Sequence, residues 1–352
     1  MRSKVFASRR GSAFLPGPPH LFKPIKPPPL ICEVVKDGFP MVLEKPTVVA
    51  KVGSVNINFI KQTEVLSVVK KWNKIGHRGY VVLINPHSVM MCQRDSAMHE
   101  ASADADLVLP DGVGIVLAAK ILGHGKQYRV TGPALMLNLC DVGRAVGLRH
   151  YFYGGDEGVA EKLSQVLTER FPGLQVAGTY CPPFKPLSEE EDSDVVQMIN
   201  AARPDVVWVG LGAPKQERWM RAHVGRIHAT ALIGVGAAFD FHSGNVPWAP
   251  RWVRNIGCEW AYRLAMEPRR MWRRNLDSPL FLANVIGQAI GVKMRRLAGV
   301  VAPVVEAIDR DPGVGGSGGA AVGGTRLVLP RPAATATAVG SPSSLEPVAG
   351  AA

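Results

Sequence analysis

The sequence holds few cysteines and none close together: Cys32, Cys92, Cys140, Cys181 and Cys258 include no CxxC pair. That spacing excludes a disulfide scaffold and a structural zinc site, and it fits reduced thiols in a cytosolic protein. No uninterrupted apolar run reaches the ~18–20 residues that span a bilayer, which excludes an ordinary membrane-spanning helix. The histidines are scattered, with no HExxH or similar ligand pair. The dinucleotide fingerprint is missing, because Gly154-Gly155-Asp156-Glu157-Gly158 is not GxGxxG and no acid closes the next strand, and there is no Walker A motif. Two DxD-like strings, Asp104-Ala105-Asp106 and Asp192-Ser193-Asp194, read as the start of a strand and an acidic helix start, so neither a metal nor a cofactor is expected. No acid precedes Glu33, as in a transit peptide, but nine prolines within residues 1–46 prevent the amphipathic helix such peptides form.

What is present is positive charge, unevenly placed. The chain carries 41 Lys+Arg against 29 Asp+Glu, a formal charge of +12 over 352 residues. Residues 1–45 contribute +5, residues 46–250 only +1, residues 251–296 +7 and the remainder −1. A near-neutral body is therefore flanked by a Pro-rich basic arm (1–45) and followed by an Arg/Trp-rich segment (251–300) and a Gly/Ala/Pro-rich tail (301–352). Arm and tail have the composition of disordered chain. Basic proteins attract anions. With no recognised nucleic-acid module, the anions expected are phosphorylated substrates and lipid, not nucleic acid.

Between arm and tail, apolar runs alternate with amphipathic stretches. Tyr80–Ile84, Leu107–Leu109, His150–Tyr153, Leu174–Ala177, Val206–Leu211 and Ala231–Val235 read as buried strands, and Val113–Leu122 and Glu157–Phe171 as helices. This is an α/β chain with a mostly parallel, Rossmann-like sheet, helices on both faces and a helical C-terminal appendage. Ligands of such sheets bind beyond the carboxyl ends of the strands. Here those ends read Asn85-Pro86, Pro110-Asp111-Gly112, Gly154-Gly155, Gly210-Leu211-Gly212-Ala213-Pro214 and Gly234-Val235-Gly236. Gly154, Gly155, Gly212 and Gly236 are candidate nucleotide-binding positions, since glycine admits a ligand close to the backbone and a following helix offers free N–H groups.

The order and spacing of several motifs resemble the WecG/TagA/CpsF glycosyltransferases over about residues 48–285. They are Asn85-Pro86, the run Ala105–Gly114, Arg129-Val130-Thr131-Gly132, Gly212–Glu217, Gly234–Phe241 and the block from Ala249-Pro250 to Arg274. The resemblance implies a bacterial enzyme that moves a sugar, often N-acetylmannosamine, from a UDP-sugar to a polyprenyl-diphosphate-linked acceptor at the inner face of the plasma membrane. It also implies inversion, no catalytic metal, and an appendage that meets the anionic membrane surface. A homo-oligomer is compatible with it.

On this resemblance Asp111 matches the base that takes the acceptor proton, with capping of the next helix as its alternative role. Asn85 matches a cleft residue, with capping again the alternative. Arg129 matches a site arginine and Gln216 a substrate-contacting amide, while Asp240 is placed to hold uracil or ribose. Arg263, Arg270 and Arg273 match appendage arginines that meet diphosphate, and on one helix their offsets would bring them to one face. Phe281–Val292 reads as a helix in the membrane surface or packed on the core.

Five positions depart from the family pattern: Leu83 for Thr, His87 for Glu, Pro133-Ala134 for Ser-Asp, Trp248 for Arg and Asn275 for Tyr. They bear on donor and acceptor more than on reaction class. The alternative function is a non-catalytic nucleotide-sugar- or lipid-binding protein built on the same fold.

Overall fold

The structure, a computed structural model, describes residues 49–125 and 127–297, without the side chains of Arg270 and Arg296. The arm at 1–45 and the tail at 301–352 lie outside the described residues. A hairpin of β1 (Val49–Val52) and β2 (Val55–Asn58) comes first, then α1 (Val65–Lys74), β3 (Gly79–Ile84), α2 (Pro86–Arg94), α3 (Ser96–Ala103), β4 (Leu107–Pro110), α4 (Val113–Ile121) and α5 (Gly132–Val142). Next come β5 (Arg149–Gly154), α6 (Val159–Arg170), β6 (Gln175–Tyr180), α7 (Glu189–Ala202), β7 (Val206–Gly210), α8 (Lys215–His223), β8 (Ala231–Gly234) and α9 (Ala238–Ser243). The appendage is α10 (Arg251–Asn255), α11 (Glu259–Met266) and α12 (Pro268–Leu297).

Six strands form one parallel sheet in the order β4-β3-β8-β7-β5-β6. The inner strands read as near-continuous apolar runs because both faces are covered. One layer holds Tyr80, Val82, Ile84, Val89, Met98, Ile115, Val209 and Met220, so α2, α3, α4 and α8 lie on that face. The other holds Val81, Leu83, Val69, Leu135, Leu163, Trp208, Ile233 and Phe239, so α1, α5, α6 and α9 lie opposite. The helices after β3 and β7 thus sit on one face and α9, after β8, on the other. A crevice opens where such connections diverge, at the carboxyl edge around β8. At the β4 edge, Asn58 Oδ1 accepts from the Val108 N–H at 2.9 Å, so the hairpin closes an otherwise open strand.

The appendage departs from expectation in one respect. Arg263 lies on α11, whereas Arg270 and Arg273 lie on α12, so no single helical face carries all three. The cause is Pro268. The residue before a proline is driven out of helical geometry, and Glu267 sits at φ −129°, ψ 59°. Beyond the break, α12 folds back onto the body. Its Met271, Asp277, Phe281 and Val285 are buried, and Gln288 accepts from the Gly53 N–H at 2.8 Å and donates to the Lys51 carbonyl at 2.8 Å. Among the described residues no helix is long and apolar enough to cross a membrane.

Candidate active site

The carboxyl ends of β3 and β4 are locked together. The Asp111 N–H donates to the Ile84 carbonyl at 2.8 Å, and the Val130 N–H donates to the Pro110 carbonyl at 2.9 Å, which carries Arg129 to the side of Asp111. Gly114 lets the start of α4 seat on Pro86, since a Cβ there would meet the proline ring at 2.5 Å. Gly257, at φ +78°, lets the turn between α10 and α11 press against Val113, where a Cβ would lie 2.2 Å from the valine side chain. The appendage is thereby set over the strand ends. Asp111 is not the N-cap of α4: that position is Gly112, at φ +89°, which has no side chain to bond the first turn. The carboxyl group instead has four charged side chains as neighbours. Burial, then the negative Glu259, push it up to about 7, against the pull of Arg263, Arg129 and Arg274. A carboxylate held near neutrality is tuned for taking a proton.

Other sequence candidates divide. Asn85 caps α2, its Oδ1 accepting from the Ser88 N–H at 3.0 Å, and its Nδ2 group has no hydrogen-bond partner among the described residues. Gln216 is buried and its amide is engaged within the chain: Oε1 accepts from the Gly236 N–H at 3.0 Å and Nε2 donates to Glu217 at 2.8 Å. The Gln216 amide therefore shapes the loop after β8. Gly154 is required by the sheet itself, because a Cβ there would strike the Gly210 backbone at 2.7 Å, and at Gly155 it would strike Val159. Gly212, at φ +73°, has open space around it. At about 4.8 Å per strand, Gly236 ends a strand about 10 Å from that of Asp111, and Gly154 one about 19 Å away. Asp240 is half-buried in the first turn of α9. Arg273 is exposed on α12 beside Trp272, and the Arg270 side chain lies outside the description.

The departures from the family pattern are all engaged. Leu83 is buried against α5. His87 Nδ1 donates to Asp277 at 2.5 Å, and Arg94 reaches the other oxygen of the same buried carboxylate at 2.8 Å, so α2 clasps α12. Asn275 donates to the Met271 carbonyl one turn back, at 2.9 Å. The Pro133 carbonyl accepts from His242 Nε2 at 2.9 Å, and the Ala134 carbonyl from Gln62 at 3.0 Å. Trp248 donates its indole N–H to Glu259 at 2.9 Å, beneath the Arg254 guanidinium, whose Cζ lies 3.6 Å from the ring centroid. Arg129 donates to the Arg254 carbonyl at 2.9 Å, and Arg263 Cζ stands 5.2 Å from the Phe241 ring.

Sequence reasoning passed over Glu217, Arg254, Glu259 and Arg274. Glu217 had a signal, as an acid inside the Gly212–Glu217 motif. Its carboxyl is fully buried, Oε2 has no partner among the described residues, and burial pushes the group up to about 7. Because its folded value lies above the unfolded one, its stabilising contribution is complete below about pH 4.3 and is lost as pH rises through about 7. Glu217→Gln keeps an acceptor for Gln216 but does not ionise. Its melting temperature should rise relative to the parent between pH 5 and pH 8, read by thermal unfolding at both. An equal difference at the two pH values would contradict the burial argument.

Among the described residues no three His, Cys, Asp or Glu side chains gather to hold a metal ion. The DxD-like strings are tied up in ion pairs and hydrogen bonds: Asp104 with Arg221 at 2.7 Å, Asp106 with His77 at 2.9 Å, and Asp192 with His223 at 2.8 Å and Arg226 at 2.7 Å.

The family model described as "Glycosyl transferase WecG/TagA/CpsF family" matches residues 50–295. Among curated proteins, the chain is 31% identical over 207 residues to an N-acetylglucosaminyldiphosphoundecaprenol N-acetyl-beta-D-mannosaminyltransferase of Bacillus spizizenii, covering 59% of this chain and 78% of the relative. A protein of the same description from Bacillus subtilis is 29% identical, over 60% of this chain and 80% of its own. One from Staphylococcus aureus is 26% identical over 70% and 96%.

Proposed function

The chain belongs to the WecG/TagA/CpsF glycosyl transferase family, and we propose that it moves a sugar from a UDP-sugar to a saccharide carried on a polyprenyl diphosphate. The sugar in this reading is N-acetylmannosamine or a related hexose, and the product serves a cell-surface polymer. The names of the relatives support the acceptor, since they describe transfer of N-acetylmannosamine to N-acetylglucosaminyl-diphospho-undecaprenol. The observation that carries the reaction is the Asp111 carboxyl, held near neutrality at a strand end among Arg129, Arg263 and Arg274.

In this mechanism Asp111 takes the proton of the acceptor hydroxyl as the freed oxygen bonds to the anomeric carbon. The bond from that carbon to the UDP oxygen breaks, and its electron pair leaves on the diphosphate. Attack from the face opposite UDP inverts the anomeric centre. Guanidinium groups meet the negative charge that builds on the leaving diphosphate, by charge-assisted hydrogen bonds in a partly dehydrated site. The reading includes a metal-free reaction and a peripheral position on the cytoplasmic face of the membrane, with α10 to α12 as the part that meets lipid.

The test incubates purified protein with a panel of UDP-sugars and a short-chain prenyl-diphospho-N-acetylglucosamine, with and without EDTA. The expected result is one inverted disaccharide product by mass spectrometry and NMR, formed at the same rate in EDTA. Transfer only from a non-uridine donor, a retained anomer, or an EDTA loss restored by Mg²⁺ would each overturn the corresponding part.

A further inference from the structure

Arg254 occupies an unusual position for a charged side chain. Its guanidinium sits over the Trp248 indole, Cζ 3.6 Å from the ring centroid, and the indole also stacks with Phe241, the centroids 6.4 Å apart, and meets His242 in a T-shaped contact at 5.1 Å. The indole is itself fixed, because its N–H is held by Glu259. The backbone of Arg254 is fixed too, through its carbonyl and Arg129. Yet the guanidinium Nε is buried with no hydrogen-bond partner among the described residues, and so is the Nε of Arg263. A buried charged donor left unmet is costly.

The electrostatics point the same way. Burial lowers the proton affinity of Arg254, Glu259 opposes this, and Arg251, Arg129 and Arg170 add to it. The Arg254 guanidinium and the Asp111 carboxyl share Arg129 and Glu259 as charged neighbours, so Arg254 belongs to the cationic cluster at that site.

We propose that Arg254, laid on the Trp248 platform, is a diphosphate ligand of this site. The inference rests on the reading of the cleft as a place for diphosphate-bearing substrates. It also accounts for Trp248, which stands where the family pattern has Arg. In this chain the guanidinium comes from α10, six residues further along the chain, and the tryptophan supplies its support.

Binding measured by calorimetry tests this, with UDP, inorganic pyrophosphate and farnesyl diphosphate as ligands and uridine as the phosphate-free control. Arg254→Ala should weaken diphosphate binding by about 10–100-fold, the range for a hydrogen bond to a charged group, with uridine affinity unchanged. Arg254→Lys should lose less. Adding Trp248→Arg to Arg254→Ala should recover most of the affinity, which a purely structural role for Arg254 would not allow. A loss confined to UDP assigns the donor diphosphate, and one confined to farnesyl diphosphate assigns the acceptor. Unchanged binding of all three diphosphates by Arg254→Ala, or an equal loss of uridine, overturns the proposal. Wild-type protein that binds pyrophosphate but not UDP would instead overturn the UDP donor, and the pyrophosphate arm would still decide Arg254.

Discussion

Asp111→Asn should lower sugar transfer by about 10²–10⁴-fold, the usual contribution of a positioned base, while UDP binding stays within a few-fold of the parent. The amide keeps the size of the carboxyl, and the helix beyond it depends on Gly112 for its start, so no cap is lost. The pH profile adds a second signature. A base works deprotonated, and this carboxyl is held at about 7. The parent kcat/KM should therefore fall about tenfold per pH unit below that value and level off above it. Glu259→Gln removes the negative neighbour that raises Asp111, so the acid limb should move to lower pH. Stability has the opposite sign from activity. A carboxyl raised above its unfolded value of about 3.9 stabilises below that pH, and this contribution is lost as pH rises through about 7. The non-ionising asparagine should therefore melt higher than the parent at pH 8. Loss of UDP binding with a lower melting temperature would make Asp111 structural instead.

The central strands were legible because a strand covered on both faces has to be an apolar run closed by turn residues. β3, β4, β5, β7 and β8 accordingly agree with the sequence reading to within about a residue at each end. β6 was read short, as 174–177 against Gln175–Tyr180, since a half-exposed edge strand carries a weaker apolar signal. The β1–β2 hairpin escaped because two four-residue strands around Gly53-Ser54 offer little alternation to count. At the site, Pro110-Asp111-Gly112 announced itself as a carboxylate at a strand end. What sits over it did not. Glu259, Arg263 and Arg274 reach Asp111 from some 150 residues away, and that return depends on Gly257 seating against Val113 and on Asp277 being clasped by His87 and Arg94. Helical spacing placed Arg263 with Arg273, whereas Pro268 parted them.

Replacing Leu280, Ile286, Ile290 and Met294 together by Ser should abolish the binding to anionic lipid proposed for the appendage. α12 has two contrasting sides. At 100° per residue, Trp272, Leu276, Leu280, Ile286, Ile290, Met294 and Leu297 fall within one arc about 120° wide, and all are between 45% and 75% exposed. Met271, Asp277, Phe281 and Val285 fall on the opposite arc and are buried. The four substitutions therefore leave the packed side and its clasp intact, unlike a truncation. Each removes about 1 kcal/mol of apolar transfer from a half-exposed side chain, so together they should weaken partitioning by about 10³-fold. Arg269 lies within the same arc and Arg273 and Lys293 flank it, and each would meet headgroups at about 1 kcal/mol. Co-sedimentation with phosphatidylglycerol-containing vesicles should thus fall both in the quadruple variant and, for the parent, as salt rises. Transfer to a water-soluble acceptor should persist in the variant, because none of the four residues lies on the buried side of the helix. Parent-like sedimentation of the variant would move the lipid contact elsewhere, to the exposed Trp252 of α10, Ile256 just beyond it and Trp260 of α11.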